Sequence, residues 1–183
     1  LIPIGVNTNK NFNYEKYKTC EDLLERFAVW YLKRAREEKC LPVKTIQDNC
    51  LYLESDNHAN SGYVTGLTLY REGCLQVQLF ILPPYSKVPM HVHPNMDSYE
   101  VYIGGDIFFD VGGVDQSKMN DMVRNYDDLE DRKSAHEWLF LRSVRITEES
   151  PHGGDAGKKG GAFLSVQCWK NNVKPSSPPE DWE

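Results

Sequence analysis

From residue 50 to residue 169 the sequence is broken into short runs that alternate apolar and polar side chains or are rich in β-branched and aromatic residues, punctuated by glycine, proline and asparagine. Leu75-Gln76-Val77-Gln78-Leu79 is the plainest of them. Successive side chains of a strand point to opposite faces, so this run predicts a strand with one apolar face and one wet face. Glu72-Gly73, between this run and the one before it, predicts a tight hairpin turn. The same reading predicts strands over residues 50–54, 63–71, 74–82, 88–93, 98–103, 106–110, 138–147 and 162–169. Many short strands with turn signals between them leave a closed barrel or a two-sheet sandwich as the economical solutions.

One segment has a different period. Leu23, Leu24, Phe27, Tyr31 and Ala35 recur at helical spacing, with Arg26, Lys33, Arg34 and Glu37 between them. Thr19 is placed to cap the first turn, and Glu21 and Asp22 follow where negative charge suits the helix dipole. A helix is predicted over residues 20–39, stopped by Pro42, with its apolar face packed on the sheet. The chain therefore divides into an N-terminal extension carrying this helix (1–45), a β-barrel (46–172) and a Pro/Ser-rich tail (173–183). Residues 111–135 interrupt the strands with a long acidic connection that includes Asp115, Asp121, Asp127, Asp128, Glu130 and Asp131. A short helix over 127–135 within a solvated insertion is expected there, in preference to a lid.

Composition narrows the classes of function. A net charge of −6 and a pI near 5.4 give no reward for nucleic-acid phosphates. The longest apolar run is too short to span a bilayer, and no cationic-then-apolar signal opens the chain, so no membrane association is expected. The five cysteines (Cys20, Cys40, Cys50, Cys74 and Cys168) are odd in number, widely spaced and include no CxxC pair. They read as free thiols in a reducing, cytoplasmic setting, although a chain that begins at Leu1 also fits a processed form.

The chemistry concentrates in Pro89-Met90-His91-Val92-His93-Pro94-Asn95-Met96-Asp97. Residues two apart on a strand share a face, so His91 and His93 can share one ion, and imidazole nitrogens suit Zn, Fe, Ni, Cu and Mn. Pro94-Asn95 turns the chain, and Asp97 opens the next strand, where it can add an oxygen ligand. If that strand is regular, Asp97, Tyr99, Val101 and Ile103 face inward and Glu100 and Tyr102 outward; a bulge would exchange them, so Glu100 is the alternative carboxylate. His152, in the turn Ser150-Pro151-His152-Gly153-Gly154, can close the shell, with His136 as its substitute. His58 reads as a loop residue, and Tyr85, Lys87, Tyr99, Tyr102 and Arg145 are candidates for meeting a substrate near the mouth. No phosphate loop and no Ser or Cys nucleophile motif is present.

His91-Val92-His93, three residues, Asp97, six residues and Gly104 resemble the first motif of the cupin superfamily, with Tyr85 where that motif begins in glycine and Asp97 where it has glutamate. Pro151-His152 resembles the core of the second motif, and the likeness spans roughly residues 50–170. It implies a mainly β, cupin-like double-stranded β-helix, or jelly roll, with the N-terminal helix outside it. It further implies one divalent transition metal held by His91, His93, Asp97 (or Glu100) and His152, iron ranked ahead of Zn, Mn and Ni. The expected function is a metal-dependent enzyme acting on a small molecule, with dioxygenase chemistry first. A non-redox isomerase, lyase or hydrolase comes second, and a non-catalytic ligand-binding module or a domain of a larger effector third. A homodimer is compatible with the resemblance.

Overall fold

A computed structural model describes Phe12 and residues 19–38, 64–112 and 134–176. Its elements in chain order are α1 (Cys20–Glu37), β1 (Thr65–Glu72), β2 (Leu75–Leu82), β3 (Lys87–His91), β4 (Met96–Val111), α2 (Ala135–Arg142), β5 (Ser143–Ile146) and β6 (His152–Trp169). The expected strand over residues 50–54, residues 127–133 of the expected short helix over 127–135, His58, Pro42 and most of the acidic 111–135 connection lie outside the described residues. No helix among the described residues is long and apolar enough to cross a membrane.

The molecule is mainly antiparallel β, as expected, with strand order β1-β2-β6-β4-β5 and β3 added on β6. Its frame is the pair β4 and β6, which run beside each other for nearly their whole lengths. Residues 161–168 of β6 lie between β2 and the first part of β4. Residues 152–155 lie between β3 and the second part of β4. The two strands turn a corner between these parts. While β4 advances from Gly105 to Ile107, β6 runs from Gly161 back to Ala156, so the extra length is taken up as a bulge in β6. Gly105 (φ 87°) and Gly160 (φ 63°) occupy the left-handed region there. A Cβ on Gly105 would lie 2.2 Å from the Gly160 carbonyl oxygen, so the corner needs bare backbone as well as unusual dihedrals. The Tyr102 hydroxyl donates to the Gly105 carbonyl at 2.7 Å and ties the corner down.

Alternation along the strands sorts the residues into two layers. Val101 and Ile103 of β4, Leu75, Val77 and Leu79 of β2, and Ala162, Leu164, Val166 and Cys168 of β6 share one core with Leu24, Phe27, Ala28, Tyr31, Leu32 and Ala35 of α1. The helix starts as expected, with the Thr19 hydroxyl accepting from Asp22 N at 3.3 Å, and it covers the outer face of the sheet. The opposite face looks into the fold. It carries a second core that includes Leu82, Val88, Ile107, Phe109 and Val111. Gln76 and Gln78 lie on that inner face and are buried. The polar side of the Leu75–Leu79 alternation is therefore interior rather than wet. Gln76 Nε2 donates to Gln167 Oε1 at 2.8 Å, and Gln167 Nε2 donates to Gln78 Oε1 at 2.9 Å, so the amides satisfy one another away from water.

Three boundaries differ from expectation. The strand expected over residues 138–147 is a helix, α2, followed by the short β5; a capping box between Ser134 and Glu137 starts the helix. The strands expected over 98–103 and 106–110 are one continuous strand. The predicted turn at 150–154 is instead the entry of β6, which begins ten residues earlier than composition indicates because β3 and β4 flank it. The corner yields a stability prediction. Gly105→Ala should cost about 3 kcal/mol or more in urea unfolding. Gly112→Ala, whose added Cβ meets nothing nearer than 3.4 Å, should change the midpoint little.

Candidate metal centre

His91 is the last residue of β3, and His152 is the first of β6 and its Cα partner. The backbone leaves the strand after His91, so His93 reaches the same place from the connection to β4 and not from a strand position. All three side chains are buried. Their rings stand with centroids 4.3 Å (His91–His152), 4.7 Å (His91–His93) and 5.0 Å (His93–His152) apart. One nitrogen from each lies within 4.8 Å of the others.

Backbone carbonyls set the tautomers of two of the rings. His91 Nδ1 lies 2.7 Å from the Pro89 carbonyl oxygen and His152 Nδ1 lies 2.9 Å from that of Ser150. A carbonyl only accepts, so in both rings Nδ1 carries the proton and Nε2 keeps its lone pair. This is the arrangement in which a second hydrogen bond orients a ligating imidazole. His91 Nε2 and His93 Nε2 are 3.0 Å apart. Two nitrogens about 2.1 Å from one ion and at right angles to each other stand about 3 Å apart, so the spacing suits adjacent positions in an octahedral shell. Burial, reinforced by neighbouring His91 and His93 and opposed by the Ser150 carbonyl, lowers the His152 pKa to about 4. The ring is neutral at pH 7, the form a metal requires.

The carboxylate that shares the cavity with the histidines is Glu100, which lies outside the group whose nitrogens fall within 4.8 Å of one another. It lines the same cavity, together with Val88, Ile107, Phe109, Phe163, Ser165 and Gln167 among others. Its Oε1 accepts from Ser98 Oγ at 2.7 Å and Ser165 Oγ at 2.9 Å. Its buried Oε2 has no hydrogen-bond partner among the described residues. Burial pushes its pKa up, against the two hydroxyls and the nearby His93. A buried carboxylate oxygen without a donor is costly unless a cation or proton meets it there, so the donor set fits a divalent ion.

Asp97 is placed elsewhere. Its oxygens meet Arg145 Nη2 at 3.2 Å, Lys170 Nζ at 2.8 Å and the Glu148 backbone N–H at 3.0 Å. The expected face-sharing is correct, but its direction is reversed. The register of β4 against β6 is unbroken from Met96 to Tyr102, and Asp97, Tyr99, Val101 and Ile103 face α1, so no bulge is needed to bring Glu100 inward. Nothing in β4 alone says which of its faces the helix covers. His136 is exposed and pairs with Glu25 at 2.9 Å, away from the trio. Tyr85, Lys87, Tyr99, Tyr102 and Arg145 do not line the cavity. Ser98, Ser165 and Gln167 were not anticipated; their signal is the alternation of Phe163, Ser165 and Gln167 along β6.

No protein-family model matches the chain, and no curated protein matches it. Solved structures do match. They include KdgF from Halomonas sp. (9% identity, TM-score 0.41, covering 59% of this chain and 80% of that one). Two are RmlC-like cupins. One is from Desulfovibrio desulfuricans (13%, 0.39, 57% and 81%), the other from Shewanella frigidimarina NCIMB 400 (12%, 0.40, 64% and 83%).

The His152 shift predicts a pH effect in the metal-free protein. The folded pKa lies near 4, below the ordinary 6.5, so the unfolded chain binds the extra proton between those values. Stability then falls as pH drops from about 6.5 towards 4, by roughly 2–3 kcal/mol from this group. In urea unfolding across that range, His152→Asn should lose less stability than wild type.

Proposed function

We propose that the chain is a metal-dependent, cupin-type enzyme acting on a small molecule. His91, His93 and His152 hold a divalent transition metal through nitrogen, and Glu100 supplies the carboxylate. The observation that supports this most directly is the convergence of three buried imidazoles, two of them fixed with Nε2 unprotonated, in a cavity that also holds a carboxylate oxygen without a donor. Such a set leaves positions in an octahedral shell for substrate. A bound metal would supply Lewis acidity, and as iron(II) it would activate dioxygen for reaction with a substrate that provides the electrons. We rank iron and dioxygenation first by analogy with the resembled family, and Lewis-acid chemistry with Zn, Mn or Ni second.

The residues of the chain have separable tasks. The Pro89 and Ser150 carbonyls orient two of the imidazoles. Ser98 and Ser165 hold one oxygen of Glu100, leaving the other to face a ligand or accept a proton. The cavity is about 50 Å³, and its walls include the apolar side chains Phe80, Leu82, Val88, Ile107, Phe109 and Phe163. That volume holds an ion and a few water-sized groups.

Elemental analysis of protein reconstituted with Fe(II), Zn, Mn or Ni tests the site, with about one equivalent of metal per chain expected. Less than about a tenth of an equivalent with every metal rejects it. His91→Ala, His93→Ala and His152→Ala should each abolish binding, while Asp97→Ala should retain it. Glu100→Gln separates the carboxylate's two effects. It should weaken metal binding by roughly 10-fold or more. It should also stabilise the metal-free protein at pH 8 more than at pH 5. The reason is that a carboxyl whose pKa is raised on folding costs stability above its unfolded pKa and regains it as pH falls. Oxygen uptake by the iron-loaded form with candidate small molecules distinguishes dioxygenation from Lewis-acid chemistry.

A further inference from the structure

Three of the five cysteines meet on the side of the sheet away from the histidines. Cys20 opens α1, Cys74 lies in the β1–β2 turn, and Cys168 stands near the end of β6 within the core that α1 covers. The Cys168 thiol donates to the Cys74 sulfur at 3.9 Å. The Cys20 thiol donates to the Cys168 backbone carbonyl at 3.8 Å and also neighbours the Cys168 thiol, so all three sulfurs form one cluster.

The backbone holds the first pair together. Leu75 is the Cα partner of Cys168, and the Trp169 N–H donates to the Cys74 carbonyl at 2.7 Å. Because Cys74 lies in the turn, its side chain is free of the strand's alternation, and the two sulfurs stand 3.9 Å apart, a short movement from the roughly 2 Å of a disulfide. Access differs between the two thiols. Cys168 is 1% exposed, whereas Cys74 is only half-buried, so an oxidant from solvent reaches Cys74 first. The S–H of Cys168 also favours a thiolate on Cys74, lowering its pKa to about 7 against the opposing effect of burial. Thiolate character and exposure together make a cysteine reactive towards peroxide.

We propose that Cys74 and Cys168 form a peroxide-oxidisable thiol pair in which Cys74 is attacked first and Cys168 resolves it. The Cys74 thiolate takes one oxygen of hydrogen peroxide as the O–O bond breaks. The departing hydroxide gains a proton to become water, leaving a sulfenic acid on Cys74. The Cys168 sulfur then attacks the Cys74 sulfur and gives up its proton; the S–O bond breaks and a second water leaves. Two thiols have lost two electrons and one peroxide has gained them. The product bond ties the β1–β2 turn to the end of β6, closing the loop between residues 74 and 168.

The full chain treated with stoichiometric hydrogen peroxide, then alkylated in denaturant and mapped by mass spectrometry, tests the pair. Loss of two thiols per chain is expected, with a single Cys74–Cys168 cross-linked peptide. Cys74→Ser should abolish the cross-link, Cys20→Ser should leave it intact, and circular dichroism checks that both variants fold. Oxygen adducts without a cross-link, a Cys20–Cys168 link, or thiol loss from Cys74→Ser at the wild-type rate would overturn the proposal. Because the pair lies outside the histidine site, neither the metal content nor any activity enters the readout.

Discussion

The close approach of β4 and β6 at Gly105 and Gly160–Gly161 is the constraint on which the rest depends. A long strand pair that stayed straight would present one flat inner face with nothing opposite it. By bending both strands at one place, the fold sets residues 161–169 of β6 and its neighbours against residues 152–156 and theirs. The cavity is the space that results, and its lining is drawn from both sides of the bend: Phe80, Glu100, Phe163 and Ser165 from one, Val88, His91, Ile107, Phe109 and His152 from the other. The bend therefore brings Glu100 towards histidines that are distant from it along the strands.

Burying polar groups on the inner face is expensive, and the fold meets that cost by pairing them. Glu100, Ser165, Gln167, Gln78 and Gln76 are linked by hydrogen bonds of 2.8–3.0 Å. Trp169 Nε1 also donates to Gln167, and Ser98 to Glu100, at 3.0 and 2.7 Å. Each such bond contributes about 1 kcal/mol net, but leaving its members unpaired would cost more. The outer face of the same strands supplies the offsetting burial: Leu164, Val166 and Cys168 of β6 pack under α1 while Phe163, Ser165 and Gln167 look inward. Core and site are thus alternate residues of one strand, and a register slip of one residue would exchange them.

How much of this could be read from the sequence depends on which physical rule governs each element. The period of Leu24, Phe27, Tyr31 and Ala35 marks a helix that is packed on one side, and the helix is there with the Thr19 cap in place. The alternation at Leu75–Leu79 marks a strand, yet it identifies two faces without saying which is outside. The presence of α1 on the apolar side decides that Gln76 and Gln78 point inward, and the same decision moves the inward role from Asp97 to Glu100. Ser150–Gly154 is rich in turn formers, but pairing with β3 and β4 makes its end a strand; tertiary context outweighs a local propensity worth about 1 kcal/mol. Residues 138–142 read as the start of a strand from their bulky side chains, while the signal that governs them, Ser134 with Glu137 three residues on, lies upstream.

The histidine pocket is built largely from local rules, which is why its two halves were recognisable in isolation. His91 hydrogen-bonds to the carbonyl of residue 89 and His152 to that of residue 150, each two positions upstream in its own chain. Orientation of these rings is fixed by the backbone that carries them and does not await a partner from another strand. The fold has only to bring the ends of β3 and β6 together, and their pairing at His91 and His152 does so. The lone pairs then converge without the ordering cost that mobile side chains would incur when a ligand binds. Glu100 is the reverse case. Its oxygen is held by Ser98 on its own strand and by Ser165 across the sheet, so its placement depends on the register of β4 with β6 and through it on the glycine corner.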